Sequence, residues 1–75
     1  MTDATVEQAV LHALALNPGG LTRDELLDVL GVNRIDDLER RFRAATGVVE
    51  ALTALERRAA AVHEYGNWRL PDPDA

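Results

Sequence analysis

The chain has no cysteine, no serine and no lysine. Without cysteine there is no disulfide framework and no thiolate zinc site, which argues against a small secreted scaffold. Without serine, cysteine and lysine, nucleophilic, Schiff-base and P-loop chemistry each lack their central residue. His12 and His63 are the only imidazoles, and neither has a second His, a Cys or a suitably spaced carboxylate beside it. A metal site needs three or four ligands, so none is expected. Asp24, Glu25 and Asp28 lie within one turn, but at a helix start that favours acids, and nothing marks them for acid–base work. No apolar run approaches 18 residues, so no membrane span is expected, and no basic stretch precedes an apolar N-terminal segment as a signal peptide requires. These absences together predict a cytoplasmic protein that is not an enzyme and takes no cofactor.

Aromatic residues are scarce: Phe42, Tyr65 and Trp68 are the only three. The core must therefore come from Leu, Val and Ala. At 75 residues, 47% hydrophobic and 28% charged, the composition is that of one globular domain. A chain this short buries only about 60% of its unfolded surface, so its stability is marginal. A partner or a homodimer would help to cover what remains. The net charge is −5, with 13 acids against eight bases, all of them Arg. Residues 1–33 carry five acids against Arg23 alone, whereas residues 34–69 carry seven Arg against six acids. So acidic a molecule is not drawn to nucleic acid as a whole.

The spacing predicts three or four short helices and a C-terminal hairpin. Residues 5–16 have Val6, Val10, Ala13 and Leu14 on one helical face, a Thr5–Gln8 capping pair, and a stop at Asn17-Pro18-Gly19-Gly20. Residues 22–30 carry the strongest start signal. Thr22 and Glu25 form a capping box, Leu21 and Leu26 are placed for a hydrophobic staple, and Gly31 stands where a left-handed cap would need it. Residues 34–45 read as a third helix with Asn33 as N-cap and Ile35, Leu38, Phe42 and Ala45 inward. Thr46-Gly47 reads as a break. Residues 48–58 read as a fourth helix with Val48, Leu52, Leu55 and Ala59 inward. Beyond it, residues 60–65 and 68–70 flank a two-residue turn at Gly66-Asn67, of type II′, pairing Tyr65 with Trp68 and Glu64 with Arg69. The domain thus covers residues 5–70, between a short N-terminal tail (1–4) and an acidic disordered tail (71–75).

Residues 21–32, LTRDELLDVLGV, resemble the second-helix segment of winged helix-turn-helix domains. Residues 48–70, VVEALTALERRAAAVHEYGNWRL, resemble the recognition helix of that family running into its wing, with Ala59-Ala60-Ala61 where the family usually has Gly. The resemblance implies a mainly α fold with a two-stranded wing and a small DNA-binding protein, a transcriptional regulator acting as a two-fold dimer on double-stranded DNA. Carried onto this chain, Glu50, Thr53, Ala54, Arg57 and Arg58 line the outer side of the recognition helix, and Gly66, Asn67 and Arg69 belong to the wing. A rival alignment makes residues 34–45 the recognition helix.

The charges bear on both alignments. Asp36, Asp37 and Glu39 each precede an Arg by four residues, so Arg40, Arg41 and Arg43 read as internally paired on a solvated surface. Arg57 and Arg58 have no acid four residues before them and, with Arg69, would form a small basic patch for phosphates. Arg23 and Arg34 sit at helix starts, against local preference. The alternative reading is a winged-helix protein–protein interaction module that docks on a larger partner without touching DNA.

Overall fold

The protein is described here by a computed structural model covering residues 4–72. Residues 1–3 and 73–75, which include most of both expected tails, lie outside the described residues. The fold is mainly helical, closed by a small three-stranded antiparallel sheet.

Helix α1 spans Ala4–Ala15, so Thr5 lies inside it rather than capping it. Its inward face is the expected one: Val10, Ala13 and Leu14 are buried and Val6 is half-buried. Beyond its end, the Asn17 side-chain amide donates to the Ala13 carbonyl at 2.8 Å. Gly20 then turns the chain at φ +93°, and a Cβ there would press on the Trp68 carbonyl oxygen at 3.3 Å. Only glycine satisfies both the conformation and the approach.

Strand β1, Leu21–Thr22, leads directly into α2, Arg23–Val29. The capping box forms as the sequence predicts. The Thr22 amide donates to Glu25 Oε1 at 2.9 Å, and the Glu25 amide donates to Thr22 Oγ1 at 3.1 Å. Such a cap contributes about 1 kcal/mol. Leu21 and Leu26, the staple pair, are both buried. Gly31 ends the helix in the left-handed region at φ +80°.

The next segment departs from expectation. Val32–Arg34 make a single 3₁₀ turn, and α3 begins only at Leu38, because Asp37 rather than Asn33 is the N-cap, its Oδ1 accepting from the Arg40 amide at 3.1 Å. Helix α3 then runs unbroken over Leu38–Arg57. The break expected at Thr46-Gly47 is absent. Thr46 sits in the helix with its hydroxyl donating to the Phe42 carbonyl at 2.9 Å. Gly47 costs the helix about 1 kcal/mol relative to Ala, and burial of Val48, Ala51, Leu52 and Leu55 just beyond it outweighs that. The third and fourth helices of the sequence reading are therefore one.

This continuity turns Phe42 outward. It is 73% exposed, and Leu38 is 70% exposed, where both were expected in the core; Ile35 is half-buried. Six residues at 100° each place Phe42 about 120° away from Val48 around the axis, off the buried face. The C-terminus of α3 closes with the Ala60 amide on the Leu55 carbonyl at 2.8 Å and the Ala59 amide on the Glu56 carbonyl at 3.0 Å. This Schellman pattern puts Ala59 at φ +59°, exposed rather than inward, in a position usually held by glycine.

Strands β2, Val62–Glu64, and β3, Asn67–Arg69, form the hairpin, but its turn is Tyr65-Gly66 rather than Gly66-Asn67. Both turn residues have positive φ, 53° and 80°, which makes a type I′ turn. The register is Val62 with Arg69, His63 with Trp68, and Glu64 with Asn67. Tyr65 is fully exposed and does not pair with Trp68. The cause is parity: this register gives Trp68 to the inner face, where it packs on the core opposite Leu21, and a slip of one residue would turn it to solvent. Strand β1 pairs with β3, giving the order β1-β3-β2 and a third strand that the sequence reading did not include. The core where helices and sheet meet centres on Val10, Leu14, Leu26, Leu52 and Leu55, each at most 1% exposed.

Candidate functional site

The outer flank of α3 faces two neighbours, α2 and the hairpin, and an open groove runs along each boundary. The first, of about 330 Å3, lies between α2 and α3 and is lined by Arg23, Asp24, Leu27, Phe42, Ala45, Thr46 and Val49. The second, of about 380 Å3, lies under the hairpin and is lined by Thr22, Arg23, Asp24, Val49, Leu52, Thr53, His63, Gly66 and Trp68. Arg23, Asp24 and Val49 belong to both, so the two form one trough. Along α3 it extends from Phe42 to Thr53, about 16 Å at 1.5 Å per residue.

Helical phase explains the lining. Phe42, Ala45, Val49 and Thr53 recur at three- and four-residue intervals and so share a flank. The Thr53 hydroxyl is turned back onto the Val49 carbonyl at 3.0 Å, which leaves its methyl as the more available part. At the hairpin end, His63 and Trp68 stack with ring centroids 4.1 Å apart and planes 2° from parallel. His63 Nδ1 stands 3.9 Å from Glu56 Oε2. The floor is apolar and the polar groups lie along its rims.

The residues expected at a DNA interface are divided by this geometry. Thr53 and Gly66 line the trough together, and Glu50 and Arg57 are exposed nearby on α3. Asn67 is exposed, but it is the first residue of β3 rather than part of the turn. Arg58 points elsewhere: its guanidinium lies 3.3 Å from Glu7 on α1, a carboxylate almost wholly buried. Ala54, four residues before Arg58, shares that flank and is half-buried. Arg69 lies on the outer face of the hairpin, 3.1 Å from Glu64. The expected charge pair thus forms diagonally across the strands rather than directly opposite. Of the three arginines expected in a basic patch, Arg58 and Arg69 are bound to acids and Arg57 is exposed.

The other arginines partly follow expectation. Of the three i, i+4 pairs, Glu39–Arg43 forms at 2.8 Å. Asp37 is instead used as the N-cap, and Asp36 lies before the helix. Arg40 and Arg43 are exposed and Arg41 is half-buried.

The trough residues Leu27, Phe42, Thr46, Val49 and His63 were not singled out as a site from the sequence. The signal was present: the Val48–Leu55 period, carried back through Gly47, puts Phe42 off the core face. Among the described residues, no three acidic or imidazole side chains gather to hold a metal ion, and no helix is long and apolar enough to cross a membrane. Comparison with protein-family models, curated proteins and solved structures finds no match.

Proposed function

We propose that this chain is a winged-helix module that docks on a partner protein through the trough bounded by α2, α3 and the hairpin. The winged-helix reading draws support from the element order, a helix, a short strand, a helix pair and a hairpin, with β3 between β1 and β2. The observation that carries the docking reading is the character of α3's outer flank. The helix before the wing is the recognition element in that architecture, and here it offers Leu38, Phe42 and Val49, with Phe42 73% exposed. Burying one such side chain yields about 1.5–3 kcal/mol, a reserve that a protein interface releases and a phosphate backbone does not.

Electrostatics point the same way. A net charge of −5 repels a duplex, and Arg43, Arg58 and Arg69 are held by Glu39, Glu7 and Glu64. The second reading, a DNA-binding regulator, is favoured by the topology and by Arg57, whose side chain is exposed and makes no hydrogen bond or ion pair among the described residues. Arg23, Arg34 and Arg40 are likewise exposed with no ion pair among the described residues, and the slope of log affinity on log salt would be shallow, about −2 to −4.

Two measurements separate the readings. A photo-crosslinking side chain at position 42 should give a protein adduct that survives nuclease, while the same group at Gln8 on the far helix should give none. Fluorescence anisotropy with mixed-sequence duplex DNA should show no saturable binding at moderate salt. Saturable duplex binding that Arg57→Ala abolishes, together with no protein adduct at position 42, would overturn the docking reading and establish the DNA reading.

A further inference from the structure

Two regularities of α3 bear on what fills the trough. The first is a seven-residue repeat. Leu38 and Ala45 share one position of it and Phe42 and Val49 the other, so the apolar stripe advances by four, three and four residues. That is the period of a helix whose seam lies along a second helix. Leu38 is 70% exposed, Phe42 73% and Val49 39%, so the seam lies open to solvent. The second is a row of charges beside the seam. Glu39, Arg43, Glu50 and Arg57 fall within about 40° of one another around the axis, and all four are exposed. Along the helix they alternate in sign: acid, base, acid, base. Glu39 and Arg43 bridge each other at 2.8 Å, whereas the Glu50 and Arg57 side chains have no ionic partner among the described residues. The remaining charges of α3 lie elsewhere. Arg40 and Arg58, five turns apart and in phase, are on the side toward α1, where Arg58 meets Glu7. Arg41 is half-buried, and Glu56 stands beside His63 of the hairpin. The only Asp, Glu or Arg side chains lining the two grooves are Arg23 and Asp24, one of each sign.

We infer that the occupant of the trough is a second copy of this chain, its α3 laid antiparallel on the first across a two-fold axis near Thr46. This rests on the docking reading above and names its partner. Reversed end to end, the row acid, base, acid, base reads base, acid, base, acid. An antiparallel two-fold sets the same flank of each helix against the other. Arg43 then faces Glu50 of the second copy and Glu50 faces its Arg43, while Glu39 and Arg57 approach each other about a turn further out. A parallel pair would set each charge against its own kind, which costs affinity. The seam fits the same axis. Ala45 and Thr46 lie at its centre and the larger Phe42 and Val49 lie to either side, so the Phe42 ring of each copy falls over the small residues of the other. No net charge opposes the contact, because the row holds two acids and two bases and Arg23 and Asp24 offset each other. Such a dimer covers Glu50, Thr53 and Arg57, the face that a DNA groove would need free. It also supplies burial that a 75-residue chain has little of by itself.

The test follows the full chain by sedimentation velocity from roughly 10 to 500 μM, the range in which a small interface dissociates. The chain should pass from monomer to dimer, with concentration-dependent amide shifts at Phe42, Thr46, Val49 and Glu50. Phe42→Ala should weaken the dimer about thirtyfold or more, because a two-fold axis counts each lost anchor twice. Arg43→Glu and Glu50→Arg should each weaken it about tenfold alone. An equimolar mixture of those two variants should recover it as a heterodimer, since each like-charged contact becomes an opposite one. Circular dichroism checks that every variant is folded; all three positions are exposed. A dimer that survives Phe42→Ala, or charge variants that do not recover on mixing, would overturn the antiparallel pairing. A chain monomeric at every concentration, with position 42 crosslinking to a different protein, would refute the second copy and leave the docking reading standing. A monomer with no protein adduct at position 42 would overturn both.

Discussion

Replacing Gly47 by Ala separates a continuous α3 from a broken one by the sign of its effect. In the unbroken helix Gly47 is an interior residue, and a Cβ built on it meets no atom within 4 Å. Nothing in the fold needs glycine there, so Gly47→Ala should recover the helix-interior penalty of about 1 kcal/mol, partly by restricting the unfolded chain. In a domain of this size, that raises Tm by roughly 4–8 °C. Were residues 34–45 and 48–58 separate helices with Gly47 as a left-handed cap, Ala would cost about 1–2 kcal/mol and Tm would fall by a similar amount. Circular dichroism at 222 nm during a thermal melt, checked by urea unfolding followed by Trp68 emission, reads the difference directly. Residue 47 also lies on the α1 side of the helix, in a groove with Val6, Ala9 and Ala44, away from the trough. The variant should therefore leave the lining of the trough unchanged. A lower Tm, or none of the expected gain, would refute the continuous helix and with it the outward placement of Phe42.

Two further substitutions test the ends and faces of the same helix. Ala59→Gly should also stabilise, by about 0.5–1 kcal/mol in urea unfolding, because it removes a left-handed alanine from the Schellman turn at φ +59°, less what glycine loses in chain entropy. Leu52→Ala, at a residue 1% exposed, should cost about 2–5 kcal/mol and leave so small a domain largely unfolded. Phe42→Ala should instead change stability by about 0.5 kcal/mol or less; an unfolded Phe42→Ala variant would mean that the side chain is buried in solution.

Local chemistry was legible in the chain itself wherever neighbouring residues settle it. The Thr22–Glu25 capping box, the left-handed Gly31, the stop at Asn17–Gly20 and the inward face of α1 all depend on groups within a few positions of one another. A reader of the sequence has those groups in hand. The mainly helical fold and the presence of a hairpin before the C-terminus were legible for the same reason. Phase and register were not. Whether Thr46-Gly47 ends a helix depends on whether the buried surface of Val48, Ala51, Leu52 and Leu55 outweighs a propensity cost of about 1 kcal/mol, and α1 and α2 supply the surfaces that decide it. Whether the hairpin turns at Tyr65-Gly66 or one residue later depends on which face of the sheet Trp68 must occupy against Leu21, a residue 47 positions away. The salt bridge of Arg58 with Glu7 spans 51 positions and is invisible to any local rule. The sequence therefore determined which side chains were available and where helices could start and stop. Tertiary packing alone decided which way they point, because burial is a property of surfaces brought together, and it left the trough apolar and bound Arg58 and Arg69 to Glu7 and Glu64.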